Sequence, residues 1–564
     1  MGSSVGLLVQ NHPCTPRPRR AARAARAALL LLLGVALALP AHARRNTGDG
    51  PGGGDTGGGG EPIIPRCLAE AYGTLHASPA TVGLGSTTTL SWTASIPSGC
   101  TNLRIYLGSE FVNPNGFKTV QPLANATYRL RARLIGVGEA EIATLPVGVV
   151  LPPDSSSPGR QLVTITANNQ APLLVQALGT PNTTVVVSND VQLDLSYRHD
   201  IAVADGVILR GGRSKLLPGP RLFTTTRQPV LFGIVGNNVR ITGVRIEGPD
   251  MGSDERHGTR AIQVVSKRGV RIDHNEISGW TLAGIQIWDP DEVMHDTAPF
   301  AVHIHDNYIH HNQAVGGDGY GVTVGAGGYA LIERNVFDWN RHAIEGDGSP
   351  GTGYVATANL VLEHGGLHRW IPFPGFWVHT HQFDMHGTED CGIWDIFSDA
   401  LANCGDAGLS MFIRQNTFFY ASDHAIKLRG TPEVGMFVGQ NVFANHLRFS
   451  DAATQEETGL VEEPGNVFGY NGKLELGSCD LDGDGILDSF MATGVTWWYA
   501  SGGTMPWRYL HTSTARLPEV VLGYFDGDDR CDVKVGDTIF SGGTNSWWPG
   551  GVVVGGGGVY TTQP

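Results

Sequence analysis

The chain is short of basic residues: 39 Lys and Arg stand against 53 Asp and Glu in 564 residues, for a formal net charge of −14. This deficit argues against nucleic acid as a partner, because neutralising phosphates requires basic stripes. No apolar run after residue 39 is long enough to span a bilayer, and long segments with 3.6-residue periodicity are missing. We therefore expect neither a membrane span nor a helical repeat. The charge also disfavours an acidic polymer as partner unless a local basic patch or bound cation offsets it.

Residues 1–43 predict an export signal. Arginines precede the apolar run 27–39, and Ala41-His42-Ala43 has the small residues of a cleavage site. The arginines are Arg17, Arg19, Arg20, Arg23 and Arg26. We therefore expect a secreted, extracellular protein whose mature form is still more acidic. The Gly-rich residues 44–64 predict a flexible linker.

Cysteines are few, and Cys14 would leave with the export signal. An even number in an exported chain favours disulfides over metal ligation. Six cysteines allow fifteen connectivities, and one bridge per domain is the simplest. The expected pairs are Cys67 with Cys100, Cys391 with Cys404, and Cys479 with Cys531.

One pattern occurs six times between Val239 and Phe443: apolar, any, apolar, two polar, usually Asn, any, apolar. Each copy predicts two short strands around a polar corner, and such a unit cannot bury its apolar side alone. Stacked copies bury Ile on Ile and Asn on Asn, which predicts a solenoid over 161–470. The corner residues, expected to form an internal structural ladder, are Asn275, Asn307, Asn335, Asn416 and Asn441.

Enrichment in β-branched and aromatic residues favours strands in this solenoid. The pattern resembles the right-handed parallel β-helix of pectate-lyase-like proteins, which implies an all-β fold. Residues 65–150 have short alternating strands and resemble bacterial immunoglobulin-like modules, with Trp92 and Tyr128 in the core of a β-sandwich. Residues 151–160 predict a linker, and 471–564 a small β-rich domain.

A calcium loop is predicted in the last domain. Asp480, Asp482, Asp484 and Asp488 stand at positions 1, 3, 5 and 9 of a Gly-containing loop, and such carboxylates are hard ligands for Ca²⁺. A degraded copy runs from 526 to 532. The two copies resemble the calcium-loop repeats of integrin-type propeller modules, which implies structural calcium. Of the five tryptophans nearby, most are expected in the core rather than stacked on sugars: Trp497, Trp498, Trp507, Trp547 and Trp548.

Successive strands of the solenoid align a column of outward side chains, because alternate residues of a strand face one side. The column changes from neutral to acidic to basic along the solenoid. Its members are Gln263, Gln286, Thr323, Glu345, Asp347, Asp384, His386, Lys427 and Arg429. Insertions around 359–384 and 388–410 interrupt the register that this alignment assumes.

The column predicts an enzyme that acts on a polysaccharide. In β-elimination on a uronic-acid polymer, Glu345, Asp347 and Asp384 would hold a catalytic Ca²⁺ and Lys427 would be the base. Arg429 or His386 would stabilise or protonate the leaving oxygen. This is how calcium-dependent lyases on β-helices use such residues, although no stretch matches one lyase family closely.

Three alternatives remain open from the sequence. Glu345 and Asp384 on adjacent rungs suit glycoside hydrolysis by paired carboxylates. His379, His381 and His386 with Asp384 suit a transition metal such as Zn²⁺, although strand alternation places His386 on another face. A non-catalytic carbohydrate-binding adhesin would have the same scaffold.

We expect structural rather than catalytic roles for the remaining histidines. His342 and His424 precede equivalent strands and are expected to stack on each other. Four histidines are expected on a solvated strand: His303, His305, His310 and His311. Three aromatic residues near the column are expected to pack or to form sugar platforms: Trp288, Tyr320 and Trp370. We expect a monomer.

Overall fold

A computed structural model of the chain describes residues 66–83, 88–100, 102–107, 110–120, 126–134, 138–150, 160–213, 218–252, 256–294, 301–314, 316–369, 377–388, 404–470, 475–525, 530–542 and 547–549. Contacts divide the chain into two compact units, Met1–Pro153 and Asp154–Pro564. The division falls within the predicted linker 151–160. The predicted export signal and Gly-rich linker lie outside the described residues.

The first unit consists of two sheets around one core. Its elements are α1 (Arg66–Ala69), β1 (Tyr72–Ser78), β2 (Thr81–Gly83), β3 (Thr88–Ser95), β4 (Leu103–Leu107), β5 (Glu110–Val112), β6 (Asn115–Val120), β7 (Ala126–Leu134) and β8 (Gly138–Val150). The sheet orders are β1-β3-β6 and β2-β8-β7-β4-β5. Leu90 and Trp92 of one sheet and Ile105 and Leu130 of the other belong to the same buried core. The predicted β-sandwich is therefore present, whereas its immunoglobulin-like type stays a prediction.

Three parallel sheets form most of the second unit. Sheet A contains β9 (Gln161–Ile165), β10 (Thr183–Val187), β13 (Ile208–Arg210), β16 (Arg240–Thr242), β19 (Val270–Asp273), β22 (Val302–His305), β25 (Tyr329–Glu333), β28 (Gly353–Thr357), β33 (Ser410–Arg414), β36 (Gly435–Gly439) and β39 (Leu460–Glu462). Sheet B contains β11 (Gln192–Asp194), β14 (Arg221–Phe223), β17 (Arg245–Glu247), β20 (Glu276–Ser278), β23 (Tyr308–His310), β26 (Val336–Asp338), β29 (Leu360–Val361), β34 (Thr417–Phe418), β37 (Val442–Phe443) and β40 (Val467–Phe468). Sheet C contains β12 (Ile201–Val203), β15 (Val230–Ile234), β18 (Arg260–Val265), β21 (Ala283–Trp288), β24 (Tyr320–Gly325), β27 (His342–Gly346), β32 (Phe383–Met385), β35 (Ile426–Leu428) and β38 (Ala453–Gln455).

The chain visits sheets A, B and C in turn, and each strand pairs in parallel with its counterpart one coil further on. The predicted parallel β-helix is confirmed. At its first coils α2 (Ala171–Leu178) buries Leu174 and Leu178 in the core, and α3 (Phe449–Ala452) precedes β38. An antiparallel hairpin of β30 (Leu367–Arg369) and β31 (Trp377–His379) interrupts the coils between β29 and β32.

The asparagine ladder lies at the corner between sheets A and B. The residue before each ladder Asn has a left-handed backbone, such as Arg334 with φ 54°, which turns the chain into the next strand. Asn335 Nδ2 donates to Ile304 O at 3.0 Å, and Asn335 Oδ1 accepts from Asn307 N at 3.1 Å. The predicted ladder is confirmed. Two further members escaped the sequence pattern, Asn359 and Asn466.

The C-terminal residues form two antiparallel four-stranded sheets. The first contains β41 (Gly477–Cys479), β42 (Asp488–Ala492), β43 (Thr496–Ala500) and β44 (Arg508–Thr512), and the second β45 (Val520–Gly523), β46 (Asp532–Val535), β47 (Thr538–Phe540) and β48 (Trp547–Pro549). Short 3₁₀ turns lie at Ser501–Gly503 and Leu517–Glu519. Met491 and Trp498 pack on Val336 and Leu360 of sheet B, so this module is continuous with the β-helix.

Two predicted disulfides are present, Cys67–Cys100 and Cys479–Cys531. Cys391, the expected partner of Cys404, lies outside the described residues, so that pair stays a prediction.

Trp497 and Trp498 are fully buried, as expected for core residues. Among the helices that the structure describes, none is long and apolar enough to cross a membrane.

Candidate active site

The predicted column is assembled on sheet C. In register from coil to coil are Gln263, Gln286, Thr323 and Glu345, then Asp384 and Lys427. The pairing of Ile344 with Phe383 carries this register across the insertion and places Glu345 beside Asp384. Adjacent rungs of a sheet are about 4.8 Å apart. Acidic and basic side chains far apart in the sequence therefore lie on one face.

The column turns away from the core, but its members differ in exposure. Their neighbours Ile344 and Phe383 are fully buried inside the coil. Gln263 and Asp347 are partly exposed, as are three basic members: His386 is 15%, Lys427 25% and Arg429 13% exposed. Two carboxylates of the column are buried, with Glu345 6% and Asp384 0% exposed. Cationic side chains therefore keep exposed surface beside these two buried carboxylates.

Asp384 is the centre of a charged cluster. His386 Nε2 lies 2.8 Å from its carboxylate, His381 Nε2 3.0 Å, Arg429 Nη2 3.3 Å and His342 Nε2 3.8 Å. Burial raises the pKa of Asp384, but Arg429 and the imidazoles outweigh burial and hold that pKa well below its usual range. Asp384 therefore lies where it can orient His386 and Arg429.

The pKa of Glu345 is shifted in the opposite direction, upwards. Its carboxyl accepts a hydrogen bond from the Thr323 hydroxyl, and Oε1 lies 4.0 Å from His386 Nε2. Burial raises the pKa of Glu345 to about 7, with His386 and Thr323 opposing the shift and Asp384 adding to it. The two neighbouring carboxyls thus have pKa values shifted in opposite directions.

Both carboxylate oxygens of Asp347 accept hydrogen bonds from nearby turns. Its Oδ2 accepts Ala326 N at 2.8 Å, and Oδ1 accepts Ser349 N at 2.9 Å and the Thr352 hydroxyl at 3.1 Å. The carboxylate therefore holds a turn together. With Asp384 also surrounded by imidazoles and Arg429, this donor set does not fit a calcium ion shared by Glu345, Asp347 and Asp384.

Lys427 has a partner that the sequence did not indicate. Its Nζ lies 2.6 Å from Glu456 Oε1. Glu456 follows β38, outside every copy of the repeat, so no pattern could place it beside Lys427. The ammonium is therefore held as half of an ion pair, and an anion that binds here shares Lys427 with Glu456.

The histidines at this site differ from the expectation. His342 stacks on His381, with ring centroids 4.4 Å apart, and on Tyr320 at 5.6 Å. The predicted stacking of His342 on His424 is wrong, because the coil carrying His381 intervenes; His424 pairs with Asp423 instead. His379 is exposed in the hairpin. The sequence signal was available, since His342 and His381 both stand two residues before the paired Ile344 and Phe383.

A second histidine cluster lies at the corner of sheets A and B. His305 and His310 are each 7% exposed, so the prediction of a solvated strand is wrong for these two. His305 Nδ1 lies 2.7 Å from Asp306 Oδ2, and His310 Nε2 lies 3.5 Å from Glu276. The adjoining cavity of about 360 Å³ is lined by residues of both the β-helix and the C-terminal module. That module covers this face, which repeat periodicity could not reveal.

The predicted calcium loop has an acidic centre. Asp480, Asp482 and Asp488 are buried with ligand atoms within 4.8 Å of one another. Asp480 and Asp488 accept backbone N–H groups, whereas both oxygens of Asp482 are buried without a hydrogen-bond partner. Burial raises the pKa of Asp488, and the charges of Asp482 and Asp480 add to the shift. These oxygens fit a calcium ion, which would remove the cost of three buried, mutually repelling carboxylates.

The other aromatic candidates flank the column. Trp288 is 39% exposed, and it stands on the coil of Gln286, two rungs before Glu345. Tyr320 stacks on His342 and its hydroxyl donates to Gly317 O at 3.0 Å. Trp370 lies outside the described residues. Of the two aromatic candidates that lie within the described residues, Trp288 has the ring that is open to a sugar.

No protein-family profile matches the chain, and no curated protein matches it. Solved structures with similarity to the chain include the following two. One is a family 28 exopolygalacturonase of Yersinia enterocolitica, with 9% identity, a TM-score of 0.22, and 68% of this chain and 96% of that chain covered. The other is the PL6 family alginate lyase AlyGC, with 12% identity, a TM-score of 0.24, and 58% of this chain and 55% of that chain covered. Similarity this low carries no argument about activity.

Proposed function

We propose that the protein is a secreted polysaccharide lyase, which cleaves a uronic-acid-containing glycan by β-elimination at the sheet C column. The observation that carries this proposal is that His386, Lys427 and Arg429 keep exposed surface on the column beside the fully buried Asp384. Cationic side chains that a substrate can reach favour an anionic substrate. Two disulfides agree with an oxidising compartment outside the cytoplasm.

The roles follow from the contacts. Lys427 and Arg429 bind the uronate carboxylate, and this withdraws charge and acidifies the proton on the adjacent carbon. His386, oriented by Asp384, takes that proton. The bond from the neighbouring carbon to the glycosidic oxygen then breaks, its electrons pass to that oxygen, and a carbon–carbon double bond forms. The imidazolium returns the proton to the leaving oxygen, so no water is consumed.

The neutral end of the column provides room for further sugar units. Gln263 Nε2 donates to Gln286 Oε1 at 2.7 Å, and Trp288 offers an aromatic face on the same coil as Gln286. Glycan hydroxyls and ring faces bind such amide and aromatic groups. The polymer would therefore run along the β-helix axis, crossing successive coils.

The proposal is tested by incubating the full chain with acidic and neutral glycans and following near-ultraviolet absorbance. Elimination creates an unsaturated uronate that absorbs, whereas hydrolysis yields only reducing ends. Lys427→Ala should raise KM about tenfold, as expected for one charge-assisted contact, with a smaller change in kcat. Glu456→Gln, which releases Lys427 from its ion pair, should lower KM. Reducing ends without absorbance would overturn elimination, and no turnover of any glycan would favour an adhesin.

Glycoside hydrolysis is the second candidate, and one observation favours it. Burial raises the pKa of Glu345 to about 7, while the pKa of neighbouring Asp384 lies well below its usual range. An acid and a base with separated pKa values are what hydrolysis by paired carboxylates needs. Its weakness is that Asp384 is fully buried and faces Arg429 and imidazoles rather than a sugar.

The same proposal includes a structural calcium ion held by Asp480, Asp482 and Asp488, with Asp484 at the remaining loop position. At a calcium concentration about 100 times Kd, binding should raise the free energy of unfolding by about 2.7 kcal/mol. The measurement is thermal or denaturant unfolding of the full chain with calcium and with chelator. Asp482→Asn should abolish the calcium dependence, and the exposed Asp537→Asn should retain it. Equal calcium dependence in both variants would contradict the assignment.

A further inference from the structure

Three side chains at the back of the column bring ligand atoms close together. His342, His381 and Asp384 are buried, and their ligand atoms lie within 4.8 Å of one another. Within the part of the chain that the structure describes, His342 Nε2 has no hydrogen-bond partner, and His381 Nε2 and Asp384 Oδ1 lie 3.0 Å apart without a well-oriented hydrogen bond. A buried nitrogen left unsatisfied beside such a pair is costly, so a missing group among the three side chains is indicated.

The ring orientation of His342 shows which kind of group is missing. Its Nδ1 lies 2.7 Å from the carbonyl oxygen of His381, and a carbonyl only accepts, so Nδ1 carries the proton. Nε2 then presents a lone pair towards Asp384, at a distance of 3.8 Å that is too long for a hydrogen bond. A lone pair and a carboxylate both need an electron-pair acceptor. A backbone carbonyl behind Nδ1–H is also the usual support of a metal-binding imidazole.

Asp384 can serve this cluster and the column at once. Its Oδ2 accepts from Arg429 Nη2 and lies next to His386 Nε2, whereas Oδ1 is directed to His381 Nε2 at 3.0 Å. Two ligands of one tetrahedral zinc ion, each about 2.0–2.1 Å from the metal, are roughly 3.4 Å apart. His381 Nε2 and Asp384 Oδ1, 3.0 Å apart, lie near that separation, and His342 Nε2 lies 3.8 Å from the second oxygen of the same carboxylate, Oδ2.

The other two acidic or histidine clusters lack this combination. In the cluster of His274, His305 and Asp306, His274 is exposed and Asp306 is partly exposed, whereas His342, His381 and Asp384 are all buried. The loop cluster around Asp482 has oxygen ligands alone, which suit a hard cation. Two imidazole nitrogens with one carboxylate instead suit zinc and its neighbours in the transition series.

We propose that His342 Nε2, His381 Nε2 and Asp384 Oδ1 bind one divalent transition-metal ion of the zinc type. The ion would fasten His381 to His342 at the start of β27, and it would leave one coordination position for water. This site shares Asp384 with the proposed lyase column but does not rest on that activity.

Zinc chloride is the probe. The full chain is stripped with chelator, calcium is added to saturate the acidic loop, and zinc binding is measured by calorimetry and by metal content after dialysis. The wild type should bind one zinc in this site and show a higher unfolding temperature with zinc. His342→Phe keeps the stacked ring but has no nitrogen, and it should weaken binding at least tenfold, as should His381→Gln. His424→Phe, the matched change at a partly exposed histidine outside the cluster, should bind as the wild type does.

Cobalt provides a readout that needs no variant: a four-coordinate nitrogen and oxygen site should give visible absorption that one equivalent of zinc removes. A wild type that binds no zinc, or ligand variants that bind it as tightly as the His424→Phe control, would overturn the site. Zinc binding without glycan elimination would contradict only the lyase proposal. Elimination by a protein that binds no zinc would contradict only the metal-site proposal.

Discussion

Replacing His386 by alanine is expected to lower kcat for glycan elimination by about 10²–10⁴-fold, the usual contribution of a positioned proton-transfer group. KM should change little, because Lys427 and Arg429 still bind the substrate carboxylate. The effect follows from geometry: the imidazole is held 2.8 Å from Asp384 and is 15% exposed on the column. Initial rates of near-ultraviolet absorbance on the glycan that the panel identifies would measure it.

The matched control is His364→Ala. His364 also pairs with a carboxylate, Asp338, and is 51% exposed, but it lies beside sheet B, away from the column. Its removal should leave kcat unchanged. A His386→Ala protein that retains full kcat would exclude His386 as the proton acceptor and return that role to Lys427, where the sequence had first placed it.

Repeat periodicity was enough to predict the β-helix because its signal is local and repeated. Each coil has the same apolar spacing and a corner Asn that satisfies backbone groups of the next coil. Asn359 was missed because its coil has Tyr354 and Ala356 at positions where most copies have Val, Ile or Met. The structure shows that these residues still fill the core.

The sequence predicts the column only where it also predicts the register of the sheet C strands. From Gln263 to Glu345 each strand of the column follows one coil after the previous one, and strand alternation indicates which side chains share a face. The step from Glu345 to Asp384 crosses an insertion, and Glu456 lies outside the repeat, so their contacts depend on tertiary packing. Outward direction was also taken to mean exposure, yet Asp384 is fully buried.

Replacing Asn335 by aspartate is expected to destabilise the β-helix by about 3–5 kcal/mol, the range for an uncompensated buried charge. Asn335 Nδ2 donates to Ile304 O at 3.0 Å and to Asn359 Oδ1 at 3.1 Å. A carboxylate in its place would face two acceptors and could donate to neither. Because the ladder continues through Asn307, which donates to Asn335 Oδ1 at 2.9 Å, neighbouring coils should loosen as well.

The penalty should depend on pH with a defined sign. Burial beside acceptors raises the pKa of the introduced carboxyl above its unfolded value of about 3.9. The ionisation cost is therefore fully present above the folded pKa and disappears as pH falls through it towards 4, because the protonated carboxyl regains one donor. Denaturant unfolding of the Asn335→Asp variant and wild type at several pH values measures the difference. Asn445→Asp, at an exposed residue outside the ladder, should change stability little, and equal losses in both variants would show that the ladder is not a main source of coil stability.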